Sequence, residues 1–594
     1  MAGSCLVALV VVPLVADGPT LSVLVGTAAV AIAALGLDVL VGRAGQLSLA
    51  HAALLGVGAF TAVNVGGRGA PWPLAVAAAV AVTALVATVA GLPSLRIRGL
   101  QVAIVTLALQ VMAERFLFVR PDVTAGALAM DRPSLLEADV PLYLFAAAAV
   151  ALVLVVRRRL ASTRPGRALL AVRDVEGRVG AFGVRPGTTK LFAYTLSGAI
   201  VGLGGAVLAV KESSFGTAID PFRLLQSLLL VAVVVVGGAG SGAGIILATV
   251  FIHALPQLVG GLERFGPLVS AVLLVVAIVA QPQGIGGVLG RIGGRLRRGH
   301  EQPPPRPRLV ELGAAPEASA DLRRVPRPLA LQMPVRALLE ARDVGVRYGG
   351  VQALDNLVLE VRRGEIVGLI GANGAGKSTF FNAVSGFAPA TGSIRYKGVE
   401  LLGRPQAARS AYGVARTFQD MGLLRAETVA QNVLLAQSWL ARYPGGAGLV
   451  GLGGSVKAER ELRRRAALAL ELFGLDHLAG QRLGDLPYGT MRTVEIAAAV
   501  ASGPDVLLLD EASAGLGPEE SRALGERFLA LRAELGLTLV VIEHHVPLIA
   551  RVCDYCYCLE SGALIAEGPP AQVTAEPRVI ASFLGRSETA EPVG

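Results

Sequence analysis

Charge is what this sequence has least of. Only 16% of its 594 residues are Asp, Glu, Lys or Arg, against about a quarter in soluble globular chains. That shortage excludes an ordinary soluble protein, and it is uneven. The first ~290 residues carry apolar runs of membrane-helix length, and the remainder reads as a soluble domain. Cysteine is scarce too, four in all, three of them clustered as Cys553, Cys556 and Cys558. Three thiolates leave a four-ligand metal site incomplete and no His follows nearby, so the segment reads as a buried strand with small apolar side chains. No disulfide framework is present. The net charge of +10 comes mostly from Arg. It lacks the basic stripe interleaved with aromatics that nucleic acid requires, and it suits the Arg-rich cytoplasmic loops of a membrane protein facing a lipid bilayer.

The apolar runs are Leu21–Val41, Leu47–Val65, Pro73–Leu92, Leu100–Val119, Pro141–Val156, Leu191–Val210, Leu224–Val236, Ile245–Val259 and Phe265–Ala280. Their lengths predict roughly 8–10 membrane helices, some of them broken or re-entrant. Met1–Ala16 is apolar without the positive stretch of a signal peptide, and reads as a membrane segment that is retained. Between Val156 and Leu191 lie Arg157, Arg158, Arg159, Arg164, Arg167, Arg173, Arg178, Arg185 and Lys190, a basic loop expected on the cytoplasmic side. Gly42, Gly45, Gly56 and Gly58 flank Gln46, Ser48 and His51. A Gly-interrupted apolar segment with polar groups is where a transporter unwinds a helix around its substrate, so these three are candidates for a substrate path. Helix packing around an interfacial polar turn is the plainer alternative.

Residues 291–336 hold Pro303–Pro305, Pro307, Pro316, Pro326, Pro328 and Pro334. This reads as a semi-stiff linker between a membrane domain, 1–290, and a soluble domain, 337–594. In the latter, the apolar strand Ile366–Ile370 runs straight into Gly371-Ala-Asn-Gly-Ala-Gly-Lys-Ser378 and a helical pattern. That is a phosphate-binding loop in its strand–loop–helix context, with ATP as ligand. Gly371, Asn373, Gly374, Gly376, Lys377, Ser378 and Thr379 are the expected nucleotide contacts, with Ser378 also on Mg²⁺. Val506–Leu509 leads into Asp510, a second Mg²⁺ ligand, and Glu511, a general base for the attacking water. The expected fold is an all-α, multi-helix transmembrane domain followed by an α/β P-loop NTPase domain.

Gly42–His51, Leu95–Leu100 with Ala103–Leu107, and Gly166–Arg173 occur in the order seen in branched-chain amino-acid ABC permeases, which residues ~20–290 resemble along most of their length, a span fit for membrane helices. The soluble half resembles ABC ATPases. There the resemblance implies adenine stacking for Tyr348, a Mg²⁺ contact for Gln419, a γ-phosphate contact for His544, and a nucleotide-facing signature for Pro487, Tyr488 and Gly489. Leu486-Pro-Tyr-Gly-Thr490 departs from the general LSGGQ pattern. Its Leu-Pro-Tyr-Gly form is similar to the branched-chain amino-acid subclass, Thr490 is less usual, and Gly517 stands where an aspartate is common. These departures fall on the surface offered to a partner's ATP.

The resemblance implies an ATP-hydrolysing importer of branched-chain amino acids or related small polar substrates, multi-pass in the cytoplasmic membrane with its ATPase on the cytoplasmic side. It implies a second permease, a second ABC ATPase and an extracytoplasmic substrate-binding protein as partners, with permease and ATPase fused here. The basic loop, as a helix around Gly166–Gly180, is expected to dock near Gln419. Import of urea or amides, an exporter half-transporter and a membrane-anchored regulatory ATPase are the alternatives.

Overall fold

The computed structural model describes residues 12–13, 16–97, 99–124, 129–215, 220–259, 272, 284–287, 321–323, 325 and 337–584. The chain divides into two compact units. One comprises Met1–Asp174, Pro186–Gln302 and Gly448–Val450; the other Val175–Arg185, Pro303–Ala447 and Gly451–Gly594.

The first unit is helical: α1 (Gly18–Asp38), α2 (His51–Gly66), α3 (Trp72–Gly91), α4 (Leu100–Met112), α5 (Asp139–Ala161), α6 (Arg164–Val175), α7 (Pro186–Glu212), α8 (Leu224–Gly237) and α9 (Gly242–Thr249). Among the described residues, five helical spans are long and apolar enough to cross a membrane: Gly18–Arg43, Trp72–Leu95, Leu100–Leu117, Asp139–Ala161 and Pro186–Glu212. His51–Gly66, Leu224–Gly237 and Gly242–Leu258 are shorter apolar helices. Each apolar run from Leu21 to Val259 thus carries a helix. Most of Met1–Ala16, the run Phe265–Ala280 apart from Val272, and most of the Pro-rich linker lie outside the described residues.

Helix α7 packs against α1, α2 and α3 through small residues. A Cβ on Gly58 would stand 2.9 Å from the Gly202 Cα, and one on Gly198 would stand 2.4 Å from the Ala87 Cβ. With no hydrophobic drive between membrane helices, such close approach supplies the dispersion contacts that hold them.

The Gly-flanked segment is a genuine break. A π turn, Val39–Arg43, ends the first span, Gly45 takes φ +66°, and the helix resumes at His51. Side chains from α4 and α8 satisfy the broken backbone. Leu49 N donates to Thr106 Oγ1 (3.0 Å), Ala53 N to Gln110 Oε1 (2.8 Å), and Ser227 Oγ donates to Leu49 O (2.6 Å). Unsatisfied backbone would cost several kcal/mol at membrane depth, so the break persists only because these donors and acceptors meet it.

Three members of the basic loop are buried, Arg167 (2% exposed) among them. Arg157, on α5, is 7% exposed and forms an ion pair of 2.6 Å with Asp38, itself 0% exposed. Lys190, on α7, is buried and donates to Ser94 O at 3.2 Å. An acidic side chain inside an apolar helix requires a cation, and Arg157 is drawn inward to supply it.

The second unit is α/β. Strands β1 (Ala337–Tyr348), β2 (Val351–Arg362), β4 (Thr391–Tyr396) and β5 (Val399–Glu400) form an antiparallel sheet ordered β2-β1-β4-β5. A second sheet is ordered β10-β9-β3-β8-β7-β6, from β3 (Ile366–Ile370), β6 (Val414–Arg416), β7 (Val506–Asp510), β8 (Thr538–Ile542), β9 (Tyr555–Glu560) and β10 (Ala563–Gly568). Strands β3, β7 and β8 are buried along their whole lengths. This explains their unbroken apolar sequences, since parallel strands are covered on both faces. Cys556 and Cys558 lie buried in β9 and Cys553 just before it, all three as free thiols. Of the linker, Asp321–Arg323 folds against this unit: Leu322 is 2% exposed and Arg464 reaches Asp321 at 2.5 Å. The spacer expectation therefore fails at these residues.

Candidate active site

The order of the parallel strands decides which loops meet. Strand β3 lies beside β8, and β8 beside β7, with Asp510 in register with Ile542. Residues at the C-terminal ends of β3, β7 and β8 therefore emerge side by side, the usual place for a ligand in an open parallel sheet.

The phosphate loop follows β3. Gly371 has φ +142°, and a Cβ there would stand 2.2 Å from Leu559 O, so the turn admits only glycine. Gly376 precedes helix α10 (Lys377–Ser385) at φ +102°. The first N–H groups of α10 have no intrahelical acceptor and face the loop. Lys377 is 5% exposed and folds over the loop, its Nζ donating to Gly371 O (2.7 Å) and Ala372 O (2.8 Å). Burial pulls the Lys377 pKa below its ordinary value, against the opposing pull of Glu511, Cys558 and Asp510. An ammonium held inside a loop by neutral carbonyls is a seat for an anion. Asn373 is exposed and Thr379 half-buried on the same loop and helix.

Asp510 ends β7, 2% exposed, with its backbone N–H bonded to Thr417 Oγ1. Its Oδ1 lies 3.4 Å from Ser378 Oγ, and its Oδ2 accepts from Arg416 at 2.7 Å. Glu511 takes the left-handed conformation, φ +47°. Such a backbone costs on the order of 1–3 kcal/mol and aims the side chain away from the strand. Its carboxylate accepts from Gln419 Nε2 at 2.9 Å and lies 3.3 Å from His544 Nε2. Lys377, Ser378, Asp510, Glu511, Gln419 and His544 are thus joined by the fold although they are spread along the sequence.

The remaining candidates lie apart from that cluster. Tyr348 is 46% exposed at the tip of the β1–β2 hairpin. Pro487 caps helix α12 (Tyr488–Ala501), and Tyr488 and Gly489 form its first turn; α11 is the short helix Gln406–Tyr412.

Several residues the sequence did not single out hold the site together. Arg492, buried on α12, donates to the Tyr488 Oη (2.8 Å), to Phe418 O (2.6 Å), to Gln419 O and to Glu495 (3.0 Å). Glu495 in turn accepts from Phe418 N (3.0 Å) and Gly422 N (3.3 Å), and burial pushes its pKa up. Arg416 bridges Asp510 and Asn382. Glu543 accepts from Ser513 N and Oγ, bracing the turn after Glu511. The spacing of Arg492 and Glu495 on one helix was the signal available; the acceptors they serve were not.

The segment Val175–Arg185 belongs to this unit. Its 3₁₀ turn, Val179–Phe182, packs on α11, with Ser410 Oγ donating to Ala181 O at 2.5 Å. Arg178 donates to Asp420 O (2.9 Å), pairs with its carboxylate (3.1 Å) and lies 5.5 Å from the Phe418 ring centre. The element beside Gln419 is therefore this short turn, not a helix over Gly166–Gly180; α6 belongs to the first unit up to Asp174.

In the first unit Ser48 and His51 are buried in a closed network. Ser197 Oγ donates to Gly36 O (2.7 Å), so it accepts from His51 Nε2 (2.9 Å), leaving Nδ1 to accept from Ser48 Oγ (3.1 Å). Gln46 is 7% exposed, and its Oε1 has no hydrogen-bond partner among the described residues.

Residues 20–280 match the family described as the permease component of the branched-chain amino acid transport system. Residues 354–514 match the ABC transporter family, and residues 563–589 the branched-chain amino acid ATP-binding cassette transporter family. The high-affinity branched-chain amino acid transport ATP-binding protein LivG of Salmonella typhimurium is 38% identical over 251 residues, 42% of this chain and 98% of its own length. The chain belongs to the branched-chain amino acid ABC transporter family. LivG of Escherichia coli K12 matches over the same shares at 38% identity, and BraF of Pseudomonas aeruginosa at 37%, over 42% of this chain and 99% of its own. A solved ATP-binding cassette of an ABC transporter in its ADP conformation matches at 30% identity and TM-score 0.38, over 42% of this chain and 100% of its own. The transporter combines a helical membrane domain with an ABC cassette that binds ATP and hydrolyses it in a cycle coupled to transport.

Proposed function

We propose that this chain is a fused permease and ATPase subunit of an importer that carries branched-chain amino acids or related small polar substrates across the cytoplasmic membrane. The observation that carries the reading is the succession, in one chain, of the permease family over residues 20–280 and the ABC family over residues 354–514. On this reading 1–290 is the permease domain, 291–336 the linker and 337–594 the cassette. The basic residues that close α5, Arg158 and Arg159, and those that follow it face the cytoplasm and set the cassette on that side. A second permease, a second ABC ATPase and an extracytoplasmic binding protein complete the assembly.

The site residues divide the work. Gly371, Asn373, Gly374, Gly376 and Thr379 wrap the phosphates with backbone and side-chain donors, and Lys377 turns from its loop carbonyls to the β- and γ-phosphates. Tyr348, exposed at its hairpin tip, stacks on adenine. Ser378 and Asp510 present a hydroxyl and a carboxylate 3.4 Å apart, a hard-oxygen set that fits Mg²⁺, and Gln419 adds an amide oxygen. Bound there, Mg²⁺ would neutralise charge on the phosphate oxygens. Glu511 holds the attacking water as general base, and His544 steadies its carboxylate and contacts the γ-phosphate. Pro487, Tyr488 and Gly489 face the nucleotide held by the partner ATPase. Gln46, Ser48 and His51 border the substrate path.

Uptake of labelled leucine at low external concentration, with and without this gene, tests the proposal. Loss of uptake on deletion, restored by the wild type but not by Lys377→Ala, is the expected result. Unchanged leucine uptake would overturn the substrate assignment.

A further inference from the structure

Helices α12 and α13 (Pro518–Leu535) line an open pocket of about 300 Å³, bordered also by Gly489 and Arg492. Its apolar lining includes Phe473, Leu475, Ile496, Leu516 and Leu524. The lining also holds Arg527, Glu519 and Glu520, the last with its Oε2 accepting from Gly517 N at 3.0 Å. Arg527 is half-buried and donates to Thr493 Oγ1 at 3.1 Å. Among the described residues it has no carboxylate partner within 4.0 Å, although two glutamates line the same pocket. Burial lowers its pKa from the ordinary guanidinium value. A desolvated guanidinium without an anion is an unbalanced cost, relieved by a carboxylate delivered from solution. Opposite charges that line one pocket without pairing, beside branched apolar side chains, match a zwitterion bearing an aliphatic side chain.

We propose that this pocket binds a free aliphatic α-amino acid, carboxylate on Arg527, ammonium toward Glu519 and Glu520, side chain against Ile496, Leu516 and Leu524. The position gives binding a consequence. A Cβ on Gly489 would lie 3.3 Å from Leu516, so the pocket reaches the first turn of α12. Helix α12 also carries Arg492, which holds the backbone of Gln419. An occupant locking α12 to α13 resists any movement of the signature turn during hydrolysis. That the amino acid is also the cargo, so that the cassette senses what has been delivered, rests on the import proposal above.

The test is equilibrium titration of L-leucine into the purified full-length chain, without nucleotide or binding protein. Leucine is expected to bind saturably, with leucinol (no carboxylate) and 4-methylpentanoate (no ammonium) at least about 10-fold weaker. Arg527→Met and Leu524→Trp, the second crowding the apolar lining, are each expected to weaken leucine by about 10-fold or more. A rise in melting temperature with ATP shows that each variant is folded. Absence of leucine binding, leucinol binding as tightly as leucine, or affinity unchanged in both variants overturns the proposal. Uptake and titration separate the two ideas: ATP-driven leucine uptake without binding at Arg527 removes this inference alone, and binding at Arg527 without uptake removes the import reading alone.

Discussion

Arg492→Met removes a cation that four groups share and leaves the rest of α12 in place. Arg492 and Glu495 are 3% and 4% exposed. Without the guanidinium, Glu495 keeps its N–H donors from Phe418 and Gly422 but loses its counter-charge, and Phe418 O, Gln419 O and Tyr488 Oη lose a donor. Breaking a buried pair from one side costs about 3–5 kcal/mol. In a unit of this size 1 kcal/mol moves Tm by about 2–4 °C, so the expected fall is about 6–20 °C. Stability should also gain a pH dependence of known sign. Burial holds the Glu495 pKa above the ordinary value near 4.3. The native state then binds that proton more tightly than the unfolded chain, so stability falls as pH rises from about 4.3 to the folded pKa, and recovers as pH drops back through that window. Loss of Arg492 pushes the folded pKa further up and widens the window. The assay is thermal denaturation of the full-length chain between pH 5 and 8, with Glu495→Gln alone and combined with Arg492→Met. The double variant should recover part of the loss, because the uncompensated charge is gone. A Tm within about 1 °C of wild type, flat across this pH range, would refute the reasoning, since even 1 kcal/mol shifts Tm by more.

Glu511→Gln keeps its bonds to Gln419 and His544 within reach but cannot accept a proton, so ATP binding should persist while turnover falls by about 10²–10⁴-fold, read by nucleotide titration and phosphate release. Gly371→Ala places a methyl 2.2 Å from Leu559 O at a φ of +142°, and ATP should no longer raise the melting temperature of the folded variant. Asp38→Asn or Arg157→Met leaves its partner charged and buried in the first unit, costing about 3–5 kcal/mol each, whereas Asp38→Asn with Arg157→Gln should cost less than either, measured as Tm in detergent.

The phosphate loop was legible because its chemistry is contiguous: the residues that wrap a phosphate are neighbours in sequence, and the strand before them is apolar throughout. The helical break at Gly45–Ala50 was legible for the same reason. The meeting of Gln419, Glu511 and His544 followed only from the family resemblance, since it depends on β7 lying beside β8. The arginines were least legible. Arg157 and Arg178 stand in one basic stretch, yet Arg157 ends against Asp38 in the interior while Arg178 lies on the cassette beside Asp420. An arginine's sequence context says that a cation is present; its destination is set by a carboxylate or carbonyl far along the chain. Arg416, Arg492 and Arg527 escaped notice on those grounds.

The loop Phe418–Gly422 brings these threads together, because almost everything that grips it grips its backbone. Glu495 accepts from the N–H groups of Phe418 and Gly422, Arg492 donates to the carbonyls of Phe418 and Gln419, and Arg178 donates to the carbonyl of Asp420. Met421 is left at φ +37°, a strained conformation held by bonds on both sides. The Gln419 side chain is thereby free to address Glu511. A loop fixed through its peptide groups moves as one body, so displacing the Val175–Arg185 segment against Asp420 would shift the Gln419 amide relative to the Glu511 carboxylate. A coupling path through this loop would then run mainly through backbone hydrogen bonds anchored by two buried charges on α12, with the Asp420 carboxylate and the Phe418 ring adding their contacts with Arg178.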